Sequence, residues 1–338
     1  MRLGFVGFGP QAQENLIPCC QLIPGTKIVA VCDLKAERRA LAQQLYGIEH
    51  VFADYREMMA RCDLDAVIAA CYPGDHFEIA TYSLQRGVPI FVEKPPAPSS
   101  AHLLRLIQLA ERSQGTTGVG MNFRFATVTN RVKAFVRGDI ESITLRHFAN
   151  KPIQPFWNYT SLTRSFLHAQ TIHSIDFLID LCGPVRHVSV FGHPNDSRLA
   201  LTIVLTFESG AHASLITGNT TPHFVFDFDV ICTGGRHIAS SALWNMGIAD
   251  VGKVYDNQET KRWADVWMPS PLESGFARAG YAGQMAEFLA AVKEQRDSAI
   301  SFSSLAETYR CLDEIEARLS NQVFLPRAEG QMMRKEAL

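Results

Sequence analysis

A strand that runs straight into Gly7-Phe8-Gly9-Pro10-Gln11-Ala12 constrains this chain more than any other feature. Leu3 to Val6 is a short apolar run, and a helical pattern over 10–22 follows the glycines. G-x-G-x-x-A between a strand and a helix is the turn of a βαβ unit that binds a dinucleotide. Gly7 permits the tight turn. Gly9 lets a diphosphate approach the backbone, and Ala12 lets the helix sit close to the strand. Pro10 suits a first helical position, where its missing N–H costs little. The free N–H groups of that helix end, with Phe8 and Gln11 in the loop, face the phosphates. Pro18 falls inside the helical pattern and is expected to kink or shorten it.

The strand and helix patterns keep alternating. Lys27–Cys32 reads as a strand ending at Asp33, and 35–46 as a helix. Ala66–Cys71 is a continuous apolar run closed by Tyr72-Pro73-Gly74, as suits a strand buried on both faces. Helices at 76–86 and 99–113 bracket the strand Pro89–Val92, and Thr117–Met121 closes the series. Residues 1–121 are therefore an α/β Rossmann domain with a parallel sheet. From 122 to 338 the texture is α+β. Helical segments occupy 126–137 and 166–181. Alternating segments follow at Val185–Phe191, Leu199–Phe207, His212–Thr217, Phe224–Cys232 and His237–Ser240. They predict a mostly antiparallel, open-faced sheet with Asp227 and Asp229 on one face. Helices at 281–294 and 304–319 end the domain, free to pack back on the Rossmann half, and the charged tail from about 327 is expected to fray. A sheet with one apolar face needs a cover, which predicts a homodimer or homotetramer through that face.

A chain of 338 residues with 47% apolar and 20% charged content fits a soluble two-domain protein. A net charge of −2 offers nothing to nucleic acid or an anionic membrane. No apolar run reaches the roughly 18–20 residues of a membrane span, and the N-terminus does not read as a signal peptide. The eight cysteines form no C-x-x-C pair and no zinc spacing. We expect no metal, a reducing cytoplasmic setting, and a small-molecule substrate.

Asp33 stands where an acidic residue binds the adenosine ribose diol, which favours NAD. Lys35, Arg38 and Arg39 nearby keep NADP open. Ile90-Phe-Val-Glu93-Lys94-Pro95 puts Glu93 and Lys94 at the carboxyl end of a strand, where reactive groups collect. Lys94 reads either as a solvated strand cap or as a group that stabilises a developing alkoxide.

The glycine motif, Asp33, the run Ala66–Pro73 with His76, Glu93-Lys94-Pro95 and Asn122-Phe-Arg124-Phe125 occur in that order. Together with Tyr281…Glu287-Phe288 and the helix after Ser301, they resemble the Gfo/Idh/MocA oxidoreductases. The resemblance implies NAD(P)-dependent hydride transfer on a sugar, cyclitol or sugar-nucleotide-like substrate. Two other readings stand beside it, a reductase of another C=O or C=N compound and a non-catalytic dinucleotide-binding regulator. The family's second-domain signature, D-x-G-x-H-x-x-D, is matched in part by Ala169-Gln-Thr171-Ile-His173-Ser-Ile-Asp176. His173 is implied as the acid/base and Asp176 as its catalytic or orienting partner, but Ala169 replaces the first aspartate. The resemblance also puts Tyr72, His76, Glu93, Lys94 and Asn122 near the cofactor and Lys94, Arg124, Trp157, Tyr159 and His173 near the substrate. For His76 a helix-start role, for Arg124 an ion pair, and for Trp157 and Tyr159 simple packing are equal alternatives.

Overall fold

The computed structural model describes residues 1–136, 139–192, 194–195, 197–251, 265–270, 272–273 and 275–321. The expectation for the tail from 327 lies outside them.

Six strands form the first sheet: β1 (Arg2–Val6), β2 (Lys27–Cys32), β3 (His50–Phe52), β4 (Ala66–Ala69), β5 (Ile90–Val92) and β6 (Thr117–Val119). Their order is β3-β2-β1-β4-β5-β6 and every pairing is parallel. β4 and β5 are buried along their whole length, which explains their unbroken apolar runs. The connecting helices are α1 (Ile17–Gln21), α2 (Ala36–Tyr46), α3 (Tyr55–Arg61), α4 (Pro73–Gln85) and α5 (Ser100–Ser113). The order reverses between β1 and β4, so the carboxyl ends of these two strands open a crevice.

Pro18 does not end its helix, which runs on to Gln21. A π-helical turn over Ala12–Leu16 precedes α1, and the Ile17 N–H bonds Ala12 O, five residues back. The wider turn shifts the register ahead of the residue that has no N–H to give. The β3–α3 segment was not read from the sequence, because three residues are too short to show a period.

A 3₁₀ turn over Asn122–Phe125 leads to α6 (Thr127–Val136) and β7 (Ile140–Phe148). Then come α7 (Leu162–Phe166), a second π-helical turn (Leu167–Thr171) and α8 (Ile172–Cys182). The remaining strands are β8 (Val185–Gly192), β9 (Ala200–Phe207), β10 (His212–Gly218), β11 (Val225–Cys232), β12 (His237–Ser241), β13 (Asn245–Ala249) and β14 (Asp265–Trp267). The second sheet runs β14-β13-β12-β11-β7-β10-β9-β8. It is antiparallel except where β10 lies parallel to β7. The sequence reading missed β7, one of its two central strands.

The inner face of this sheet packs on α8, where Phe177 meets Phe226 and Phe228 with ring centroids 5.3 and 5.1 Å apart. Across the outer face one register row reads Val204, Ser214, Thr144, Asp229, Ala239 and Gly247, a mix of small, β-branched and charged residues. After α9 (Gly275–Arg278), helices α10 (Tyr281–Glu294) and α11 (Ala306–Ser320) tie the two sheets together. Phe288 of α10 packs on Phe91 of β5 at 5.6 Å. Tyr309 of α11 donates to the Ala97 carbonyl (2.7 Å), while Glu307 accepts the first N–H of β8 (2.9 Å). Among the described residues no helix is long and apolar enough to cross a membrane, and no group of side chains is arranged to hold a metal ion.

Candidate active site

The turn after β1 is built by backbone geometry. Gly7 has φ +87°, and a Cβ there would sit 2.4 Å from the Ala70 carbonyl, so only glycine fits. A Cβ on Gly9 would meet nothing closer than Arg38 Nη1 at 3.8 Å, so the face above it is open to a ligand. Gln13 N–H closes the first helical bond on Gly9 O (3.1 Å), which leaves the earlier N–H groups of that end without helical partners. Phe8 is buried against Tyr46, and Ala12 is buried under the helix, so both shape the turn from behind. Asp33 accepts the Phe8 N–H (2.8 Å) and the Lys35 N–H (2.9 Å), with Arg38 at 3.4 Å. Arg39 turns away to the carbonyls of Asp33 and Leu34. An open glycine face, a helix end and a strand-end carboxylate together fit the diphosphate and ribose of a dinucleotide.

Below this turn lies a cavity of about 670 Å³ between the two sheets. The Rossmann half contributes Gln11, Cys71, Glu93 and Lys94, and the second half Asn122, His147, Lys151, Trp157, Ala169, Gln170, His173 and Phe224. Tyr281 at the start of α10 also lines it. Gln11 Nε2 donates to Glu93 Oε1 (2.9 Å), joining the glycine turn to the Glu-Lys-Pro segment. Burial raises the Glu93 pKa, against the Gln11 hydrogen bond and the Lys94 charge. Burial likewise pushes the Tyr281 phenol up to about 12, and the Glu93 charge adds to it.

Lys94 sits at the centre. Its Nζ donates to the Ala169 carbonyl (2.7 Å) and lies 5.7 Å from the Trp157 ring centroid. Burial lowers its pKa to about 8, with Glu93 opposing and Lys151 adding to the drop. The residue that replaces the expected aspartate thus still contacts the lysine, but through its backbone, at the π-helical turn Leu167–Thr171. His173 is buried with Nδ1 unpartnered among the described residues, and Phe123 covers its ring at 4.6 Å. Burial holds its pKa well below the ordinary value, helped by the charge of Lys94 and by His147. His147 reaches the cavity from the inner face of β7, with Nδ1 2.5 Å from Ser174 Oγ. Burial and then Lys94 bring its pKa down to about 3.

Several residues singled out from the sequence lie away from the cavity or are held by other partners. Asp176 does not reach the cavity. It forms a buried two-pronged ion pair with Arg124, through Nε at 2.7 Å and through Nη2, and Thr308 also donates to it. Arg124 is equally occupied, with a further bond to Ala299 O (2.9 Å), so neither residue lines the site. Asp176 shares α8 with His173, three positions on, but its carboxylate is turned to Arg124. His76 is pinned at both nitrogens, accepting the Cys71 N–H (2.9 Å) and bonding Pro95 O (3.0 Å). Burial takes its pKa to about 4, against that Pro95 bond, and its two bonds tie the end of β4 to the Lys94–Pro95 turn. Tyr159 packs on His168 at 5.4 Å, outside the cavity, and Tyr72 is exposed beyond its lining. Asn122 lines the cavity and donates to Ala279 O (2.8 Å). His147, Lys151 and Gln170 were missed. For His147 the signal was the alternation Ile143, Leu145, His147 along β7.

Residues 1–121 match the family described as oxidoreductase family, NAD-binding Rossmann fold, and residues 125–238 match the GFO/IDH/MocA C-terminal domain. The chain belongs to the Gfo/Idh/MocA family. A dehydrogenase from Chromobacterium violaceum is 36% identical, with a TM-score of 0.89 and 94% of each chain covered. A 4-carboxy-2-hydroxymuconate-6-semialdehyde dehydrogenase from Sphingobium is 26% identical over 95% of this chain and 100% of its own. An inositol 2-dehydrogenase from Gluconacetobacter diazotrophicus is 27% identical over 59% of this chain and 62% of its own. As a Gfo/Idh/MocA protein with this turn, the chain is an NAD(P)-dependent oxidoreductase.

Proposed function

We propose that the protein transfers hydride between a nicotinamide and an alcohol or ketone carbon of a sugar, cyclitol or sugar-nucleotide-like molecule. The observation that carries this is Lys94, placed in the cavity under the glycine turn with, among the described residues, a carbonyl and no carboxylate on its Nζ. The bound dinucleotide would give or take the hydride. Lys94 holds the substrate oxygen and the negative charge that grows on it. With its pKa brought to about 8 by burial, it can also take or return the hydroxyl proton near neutral pH. His173, beside it with a free Nδ1, is the second group for that oxygen. The Ala169 carbonyl orients Lys94 but cannot accept a proton, so an Asp–His–Lys relay does not operate here. That same carbonyl favours a second reading, reduction of another C=O or C=N compound in which Lys94 only polarises the bond.

Asp33 supports NAD as the preferred cofactor, and Arg38 on its carboxylate is the group through which NADP would be accepted. The eight-stranded second sheet, with exposed outer-face residues such as Thr144 and Ile216, supports a homodimer or homotetramer, which light scattering after gel filtration would test. Eight free thiols, mostly buried, suit a reducing, cytoplasmic setting. The deciding experiment is titration with NADH and NADPH, followed by an absorbance screen of sugars, cyclitols and keto compounds. Tight NADH binding without turnover of any compound would replace this reading with a binding protein.

A further inference from the structure

One charged side chain in the cavity has no task in hydride transfer. Lys151 follows β7 on the loop that forms the outer wall, and it lines the cavity with Lys94. Its ammonium is close enough to Lys94 to depress the pKa of that residue. Neither ammonium has an ion pair among the described residues, since Lys94 is held by a carbonyl and Lys151 by nothing in the cavity. The other charged lining group, Glu93, has its oxygens taken by Gln11 and by the Lys94 N–H on the Rossmann side. Two cations facing one cavity repel, and an anion between them removes the penalty.

We infer that Lys151 anchors a carboxylate, so that the substrate is an acid, a hydroxy- or keto-acid of the uronic or aldonic type. The acid group would lie a few atoms from the carbon whose oxygen Lys94 holds. Lys151 is exposed, so an acid group that it holds stays in contact with solvent. Trp157 and Phe224 supply the apolar walls of the same cavity. This rests on the hydride-transfer reading for the position of the reacting carbon, but the binding of an acid does not.

The test compares matched pairs, D-galacturonate with D-galactose and D-glucuronate with D-glucose, in wild type, Lys151→Gln and Lys151→Arg. A charged hydrogen bond predicts that wild type favours the acid in kcat/KM by about ten- to a hundredfold. Lys151→Gln should bring that ratio near one, mainly through the KM of the acid, and Lys151→Arg should restore most of it. Acids no better than their neutral partners, or a ratio unchanged in Lys151→Gln, would overturn the inference. If no compound is turned over, the hydride-transfer reading fails by itself. Titration of galacturonate and of L-tartrate into the NADH-loaded protein, followed by tryptophan fluorescence, then decides. Binding that Lys151→Gln loses upholds the carboxylate site, and absent or equal binding overturns it.

Discussion

The two halves of the active site are made of different material. The cofactor half is made of backbone: a glycine at φ +87°, an open glycine face, and the first turn of a helix. The substrate half is made of side chains brought in from β7, the loop after it, the π-helical turn and α8. A backbone site tolerates most neighbours but not a Cβ. A side-chain site depends on the pair of charges or carbonyls behind each group. At position 169, where the family signature has an aspartate, a main-chain carbonyl holds Lys94 instead.

The largest expected effect separates chemistry from cofactor binding. Lys94→Ala should lower kcat by about a hundred- to ten-thousandfold, while NADH affinity, measured by fluorescence titration, changes little. An equal loss of both would mean that Lys94 belongs to the backbone half after all. Next comes Asp176→Ala, which strands Arg124 in the interior and should cost about 3–5 kcal/mol in denaturant melts. If it slowed turnover with no loss of stability, the catalytic role expected from the sequence would be reinstated.

The glycines sharpen the comparison within the cofactor half. Gly7→Ala should destabilise the fold, because its Cβ would strike the Ala70 carbonyl. Gly9→Ala should leave the melting temperature nearly unchanged and weaken NADH binding instead. The reverse pattern would mean that the ligand does not pass over Gly9.

Acid should loosen the substrate half further than the cofactor half. Unfolded imidazoles titrate near 6.5, whereas burial holds His147 and His168 at about 3 and His76 at about 4. Between those values the unfolded chain takes up protons that the folded one refuses. Stability is therefore full above pH 6.5 and falls toward pH 3–4, by up to about 1.4 kcal/mol per pH unit per histidine. Urea melts across that range check the slope, and a flat profile would mean that the imidazoles are not buried as described. The smallest effect is on rate: oxidation of an alcohol should rise as pH passes about 8, where Lys94 loses its proton, and reduction should fall. A profile flat through pH 8 in both directions would remove Lys94 from proton transfer.

Much of the fold was legible because periods are local. The alternating strands β8 to β11 and the helices α10 and α11 were read within a residue or two, since each carries its own hydrophobic pattern. β3 is too short to show a period, and β7 was passed over although its pattern alternates. Losing β7 also lost His147. Asp176 was misplaced for a related reason. Spacing on a helix says which residues share a face, and Arg124, 52 positions earlier, decided what that face touches.

By itself, then, the sequence determined the dinucleotide turn, the order of strands and helices in the Rossmann half apart from β3 and α3, and the position of Lys94 at a strand end. These are consequences of backbone sterics and of periodic burial, and both act between near neighbours. Only the tertiary structure decided which polar groups are free to act. It tied Arg124 to Asp176, locked His76 on both nitrogens and set the Ala169 carbonyl on Lys94. It also left Nδ1 of His173 and the ammonium of Lys151 facing one cavity. Whether a polar group is available depends on what fills its hydrogen bonds, and those partners come from parts of the chain that no local pattern connects.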